Sequence, residues 1–248
     1  MKTVFIIQAR LGSTRLPGKI LLPFFNGKSI IELLIDKLKN IYNTNVILAT
    51  STNTINDKLV AEVKDKVSVF RGSENDVLSR FIEAAKENNV HKIIRVCSDN
   101  PFLDIVGLEQ LVNVASQTTA DYVGFRINKK PSIQTHFGFW AEYVTLEALQ
   151  KVYSLTQESI YHEHVTNYIY SNKDKFKIEW INAPVFIEGR NDIRLTIDTQ
   201  EDFDTAKEIY KTLSETKPNF NLQDVVEYLD KKPNYLQLMK QQIIKNWK

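Results

Sequence analysis

Short apolar runs of strand character alternate with longer stretches of helical periodicity through the first half of the chain, and this alternation constrains the fold most. Thr3–Gln8 reads as a strand that ends in a polar loop holding glycine and proline, residues 9–27. A helix should follow from about Ser29, with Ile30, Leu33, Leu34, Leu38 and Ile41 on one face. Residues 45–50 read as a strand, 55–64 as a helix, 67–70 as a strand and 74–87 as a helix. Residues 92–96 form a strand that stops at the turn Cys97-Ser98-Asp99-Asn100-Pro101. Asp104 is the expected N-cap of a helix carrying Leu108, Leu111, Val112 and Ala115. This order predicts an α/β fold, a mostly parallel, Rossmann-like sheet sandwiched by helices. Ligands of such sheets sit beyond the carboxyl ends of the strands. The loops after Gln8, Phe70 and Val96 are therefore the candidate site loops.

The second half is less regular. Residues 122–127, 178–181 and 193–197 read as strands, and 145–153 and 158–171 as helices. Thr199 and Asp202 form a capping-box pair for a helix whose apolar face holds Phe203, Ala206, Ile209, Tyr210 and Leu213. Helices near 222–230 and 235–247 close the chain. No repeat, low-complexity tract or linker interrupts it, so residues 1–248 read as one domain.

Composition mainly excludes. With 32 basic and 30 acidic residues the net charge is +2, so no global field would attract a nucleic acid. The one cysteine, Cys97, has no internal disulfide partner, which agrees with a reducing compartment. The apolar start is too short for a signal-peptide core, and no stretch approaches the roughly 20 apolar residues of a membrane span. A cytoplasmic protein without membrane contact is expected.

Local charge is another matter. Arg10, Arg15 and Lys19 lie within ten residues among Gly12, Ser13, Thr14 and Gly18, directly after the first strand. Glycines let backbone N–H groups face an anion, and the cations neutralise it. Five residues separate Gly12 from Gly18 and Ile20 follows Lys19, so this is not a Walker A loop. The bland reading is a solvated basic loop. Asp99 and Asp198 each fall at the expected end of a strand, where two carboxylates could share one Mg²⁺; Asp198 could equally cap the next helix, and Asp99 could be a turn residue. His162 and His164 flank Glu163, but residues two apart on a helix point about 200° away from each other, which disfavours zinc. Ser73 is the expected N-cap of the 74–87 helix, with Asp76 as its reciprocal partner. Gly138 to Tyr143 combines Phe139 and Trp140 with Glu142. That stretch suits either a sugar pocket, with rings against sugar faces and a carboxylate on hydroxyls, or the core.

With these residues in view, the chain resembles the cytidylyltransferases that make CMP-activated acidic sugars, and most of all the branch related to spore-coat polysaccharide biosynthesis. The resemblance is carried by Ala9-Arg10-x-x-Ser13-x-Arg15-x-Pro17-x-Lys19, Arg71-Gly72-Ser73 with Asp76-Val77-Leu78, and Arg95 with Asp99-x-Pro101. It continues through Glu163-His164-Val165-Thr166 and Leu195-Thr196-x-Asp198-Thr199, spanning about residues 3 to 210. It implies a nucleotide-diphospho-sugar transferase fold, with a nucleotide-binding half over about 1–125 and an acceptor-binding, closing half over about 126–248. It implies CTP held by Ala9, Arg10, Gly12, Ser13, Arg15, Lys19, Arg71 and Ser73, and Mg²⁺ on Asp99 and Asp198. Arg15, Lys19 and Asp99 would carry the chemistry, and Trp140, Glu142 and His164 would meet a small acidic, sugar-like acceptor. Members of such families are often homodimers. One departure stands out. Relatives tend to carry Pro-Asp-Gly-x-Asp-x-Glu where this chain reads His136-Phe137-Gly138-Phe139-Trp140-Ala141-Glu142, so two acidic positions have become aromatic. Another is Cys97-Ser98 before Asp99, where Thr-Gly is more usual. The expected reaction moves CMP from CTP to the acceptor and releases pyrophosphate. The alternatives are a GT-A-like glycosyltransferase, although Asp99-Asn100-Pro101 lacks the second Asp of its usual Asp-x-Asp, and a non-catalytic nucleotide-binding relative.

Overall fold

The computed structural model describes residues 3–41 and 45–246. The Ile41 side chain and Trp247, both assigned to helices from sequence, lie outside the described residues. β1 (Thr3–Gln8) leads through a short hairpin, β2 (Pro23–Phe25) and β3 (Lys28–Ser29), into α1 (Ile30–Ile41). β4 (Val46–Ser51), α2 (Asp57–Val63), β5 (Ser68–Gly72), α3 (Val77–Glu87), β6 (Lys92–Cys97) and α4 (Ile105–Gln117) follow. The second half holds β7 (Tyr122–Ile127), β8 (Lys130–Pro131), β9 (Glu142–Thr145), α5 (Leu146–Leu155), α6 (Ser159–Glu163), α7 (Asn167–Ser171) and β10 (Ile178–Asn182). α8 (Gln200–Thr216), α9 (Leu222–Asp230) and α10 (Pro233–Lys245) complete it.

The main sheet runs β10-β7-β9-β6-β1-β4-β5, with β8 hairpinned onto β7. β6, β1, β4 and β5 pair in parallel, as do β10 and β7. β9 runs antiparallel between β6 and β7. The period-2 alternation of β1 splits the core. Phe5 and Ile7 pack with residues of α1, α4, α8 and α9 on one face, while Val4 and Ile6 pack with α3, α5 and α7 on the other. The sheet is thus covered on both faces, as expected. Because β9 points the other way, the segment leading into it arrives at the same sheet edge as the loops leaving β1 and β6.

Four local expectations change. Residues 193–197 are buried but form no ladder strand; Leu195 and Thr196 N–H donate to the His136 carbonyl and Ile197 N–H to that of Asp99. An apolar β-branched run suits any extended buried path, whether or not it pairs in register. Conversely, β9 was hidden among aromatic residues, and its four residues are too few to show a period. The expected single helix over 158–171 is two short helices. Thr166, between them, donates to the buried Glu142 carboxylate at 3.0 Å. Lastly, Asp76, not Ser73, is the N-cap of α3. Its carboxylate accepts from Ser79 N–H at 2.8 Å, while Ser73 Oγ accepts from Asp76 N–H at 3.0 Å and shapes the turn before it. Asp104 caps α4 through Gly107 N–H at 2.8 Å, and the Thr199–Asp202 capping box starts α8.

Candidate active site

The loop after β1 folds back over the carboxyl edge of the sheet. Gly18, at φ 68°, turns the chain into a single 3-10 turn, Lys19–Leu21. Ile20 is buried and anchors that turn in the core, which leaves Lys19 directed along the sheet edge. The Lys19 ammonium donates to the Ile197 carbonyl and lies 3.4 Å from Asp99 and 3.7 Å from Asp198. Arg15 pairs with Asp198 at 3.0 Å and also donates to Asn246, just past α10, at 2.9 Å. Two carboxylates from opposite halves of the sequence therefore converge on one cation.

Asp198 is held from behind by Arg194, whose side chain is fully enclosed. Arg194 donates from Nη2 to Asp198 and Asp202, each at 2.8 Å, and from Nε to Asp202 at 2.7 Å; Nη1 lies 2.6 Å from His136 Nδ1. Burial opposes the charged guanidinium, but Asp202 and Asp198 outweigh it and raise its pKa. Asp202 also accepts from the N–H groups of Asp198 and Thr199 at 3.0 Å. The same capping box that starts α8 thus sets the orientation of Asp198.

A cavity of about 490 Å³ opens around these groups. Arg10, Gly12, Ser13, Arg15, Lys19, Asp99, Trp140, His164 and Asp198, all singled out from sequence, line it together with Asn100 and Thr196. Ala9, Arg71, Ser73 and Glu142 are not part of that lining. Ala9 is buried and donates its N–H to Ala49 in the β1–β4 pairing region. Arg71 pairs with Asp57 at 2.7 Å and donates to the carbonyls of Ser51 and Asn53, and Ser73 shapes the turn before α3. Glu142 is 2% exposed and accepts from Arg95, Tyr122 and Thr166. It binds the cavity residue Arg95 in place, and Arg95 in turn donates to Gln8. Burial, then the Glu142 charge, pushes the Tyr122 hydroxyl well above its usual range.

The two histidines diverge. His162 is buried between Asp76, at 2.8 Å, and the Thr156 carbonyl, at 3.1 Å, while His164 reaches the cavity. Among the described residues, no three His, Cys, Asp or Glu side chains gather as a metal cage. Trp140 stacks on Phe125 with ring centroids 5.1 Å apart and is mostly core, although it is also among the residues lining the cavity. Sequence reasoning missed Arg194, Asn100, Thr196 and Asn246. The first stands four residues before Asp198 and eight before Asp202, a spacing that hints at a shared partner; Thr196 stands in the Leu195-Thr196-x-Asp198-Thr199 pattern but was given no role, and Asn100 and Asn246 carry no local signal.

The family model described as cytidylyltransferase matches residues 4–237. The chain belongs to the cytidylyltransferase family. Across 238 residues it is 32% identical to the spore coat polysaccharide biosynthesis protein SpsF of Bacillus subtilis, covering 93% of this chain and 95% of that protein. It superimposes on a cytidylyltransferase from Leptospira borgpetersenii with a TM-score of 0.81 at 34% identity, over 96% of this chain and 97% of that one. A CMP:2-keto-3-deoxy-manno-octonic acid synthetase structure complexed with CTP shares the fold alone, with TM-score 0.64, 16% identity, and coverage of 85% and 98%. The architecture is that of the nucleotide-diphospho-sugar transferases. Cytidylyltransferases are nucleotidyltransferases, and among the described residues of this one no helix is long and apolar enough to cross a membrane.

Proposed function

We propose that the chain transfers CMP from CTP to a small, sugar-acid-like acceptor and releases pyrophosphate, in the synthesis of a surface polysaccharide or related glycan. The observation that carries this reading is the convergence of Lys19 and Arg15 with Asp99 and Asp198 in one cavity of a cytidylyltransferase. The names of relatives support the acceptor class, including a 3-deoxy-manno-octulosonate cytidylyltransferase that is 30% identical over 135 residues.

An acceptor hydroxyl attacks the α-phosphorus of CTP; a new P–O bond forms as the α–β bridging P–O bond breaks. Such chemistry is mostly positioning plus electrostatic stabilisation. Arg15 and Lys19 neutralise the departing pyrophosphate, with Arg10 assisting. Asp99 is more open than Asp198 and takes the acceptor proton. Asp99 and Asp198 also suit Mg²⁺. They are hard oxygen donors within 3.7 Å of one cationic position, and Mg²⁺ accepts one or two carboxylates beside phosphate oxygens and water. Bound there, it would act as a Lewis acid on the α-phosphate. Gly12 and Ser13 offer backbone and hydroxyl contacts to the phosphates.

Pyrophosphate release tests the reading, with Mg²⁺, each of the four NTPs and a panel of 2-keto-3-deoxy sugar acids. Dependence on CTP plus one such acid is the expected result; transfer from a preformed nucleotide sugar instead would overturn it. Asp198→Asn should lower kcat on the order of 100-fold with a smaller change in KM for CTP. Near-wild-type turnover in that variant would remove Asp198 from the reaction.

A further inference from the structure

We propose that Asn56, acting with Ser51 and Glu74, is the positioning residue that fixes the cationic loop for the triphosphate. The inference deepens the cytidylyltransferase reading above and rests on it. Once β1 ends, the chain leaves the sheet, and Leu11 N–H has no ladder partner although Leu11 is buried in the core. A buried N–H needs a partner. Asn56 Oδ1 supplies it, accepting from Leu11 N–H at 2.8 Å. The Leu11 carbonyl in turn accepts from Gly18 N–H at 3.2 Å, which closes the stretch that carries Gly12, Ser13, Thr14 and Arg15. Leu11 is thus the foot of the loop, and Asn56 holds its N–H.

Asn56 is fully buried and stands at the N-cap position of α2, where an asparagine commonly accepts from the helix's own N–H groups. Its side chain makes no such cap bond and turns to the loop instead. The direction of the amide is fixed from behind. A carboxylate only accepts, so Ser51 Oγ gives its single proton to Glu74. Ser51 Oγ then accepts, from Asn56 Nδ2 at 2.7 Å and from Asn53 N–H at 3.2 Å. With Nδ2 committed to Ser51, Oδ1 faces Leu11.

The other end of this chain of bonds meets the same loop. Glu74 Oε1 lies 3.9 Å from Arg10 Nη1, and a Cβ on Gly12 would stand 3.6 Å from it. Arg10 is half-exposed, so this pair is weak and aims the guanidinium without locking it. Arg10 and Leu11 are adjacent in the chain. Side chains from β4, from the turn before α2 and from the turn before α3 therefore set the cation and the backbone of one loop. Ser51, Asn56 and Glu74 are not part of the cavity lining, so they act on a ligand through that loop.

Calorimetric titration with Mg²⁺ and either CTP or inorganic tripolyphosphate tests this, beside steady-state pyrophosphate release with CTP and 3-deoxy-manno-octulosonate. Asn56→Leu strands Leu11 N–H and should raise Kd for both ligands by the same factor, roughly tenfold. KM for the sugar acid should stay within about twofold, a split that a general loosening of the fold would not give. Asn56→Asp keeps an acceptor toward Leu11 and should return both Kd values to within about threefold of wild type. Unchanged Kd values in Asn56→Leu overturn the positioning role and leave the reaction standing. Weaker CTP binding with unchanged tripolyphosphate binding also overturns it, because the phosphate-facing loop would not have moved. Where Asn56→Leu does not melt cooperatively, Ser51→Ala decides: weaker binding of both ligands supports the role, and unchanged binding overturns it. Binding needs no acceptor, so CTP binding without turnover on the sugar acid overturns the acceptor class and leaves this test intact. A wild type that binds neither CTP nor tripolyphosphate removes the nucleotide site itself, and the positioning role with it.

Discussion

The Arg194 side chain has no solvent contact, and each of its three nitrogens faces a polar neighbour, Asp198, Asp202 or His136. Removing it would leave Asp202 buried without its cation and Asp198 with Arg15 and Lys19 alone, and breaking a buried pair typically costs about 3–5 kcal/mol. Arg194→Met should therefore lower the unfolding free energy measured in urea by that much, and Arg194→Lys should not rescue it, because an ammonium cannot reproduce the planar fork. The carboxylates it holds were visible in the sequence, since Asp99 and Asp198 end extended segments and Lys19 sits in a loop of unusual cationic density. Arg194, Asn100 and Thr196 were not. A buried arginine and a surface one look alike until the fold supplies their partners.

Among the elements, α6 and α7 are the most informative. Helical composition runs through residues 158–171, but the tertiary bond from Thr166 to Glu142 interrupts it. α6 is tied to α3 by His162, which contacts the α3 cap Asp76. Burial works against a charged ring there, yet the Thr156 carbonyl and Asp76 together outweigh it and raise its pKa above the ordinary 6.5. A raised folded pKa means stability fully present below the ordinary value and lost as pH rises through the folded one. His162→Gln should thus lower the melting temperature at about pH 5.5, and the gap to wild type should narrow by about pH 9. A gap that does not change with pH would assign the contact a neutral packing role. The strand β9 and the extended segment 193–197 were misread for a related reason. Pairing depends on which neighbour lies alongside, and local composition does not record that.

At the scale of the whole molecule, the site joins both halves of the chain. Lys19 comes from the loop after β1, Asp99 from the loop after β6, and Asp198 from the segment before α8. The cationic loop is also braced by Asn246 at the end of the last helix. A ligand bound here should hold the halves together and stabilise the entire fold. CTP with Mg²⁺ at about 100 times its Kd should add about 2.7 kcal/mol. For a chain of this size that is a rise of roughly 5–10 °C in Tm, readable by scanning fluorimetry. UTP or ATP giving the same rise would show that the base is not selected.

The sequence alone determined the layered α/β architecture, the order of its first-half elements apart from the small β2–β3 hairpin, and the loops that carry charge. These follow from local periodicity and turn chemistry, which neighbouring residues express directly. The tertiary structure decided that Glu142 is enclosed with Arg95 instead of facing the cavity, that β9 threads antiparallel through the sheet, and that Asp198 is aimed by Arg194. Each depends on contacts between residues far apart in the chain, and burial and pairing are properties of those contacts.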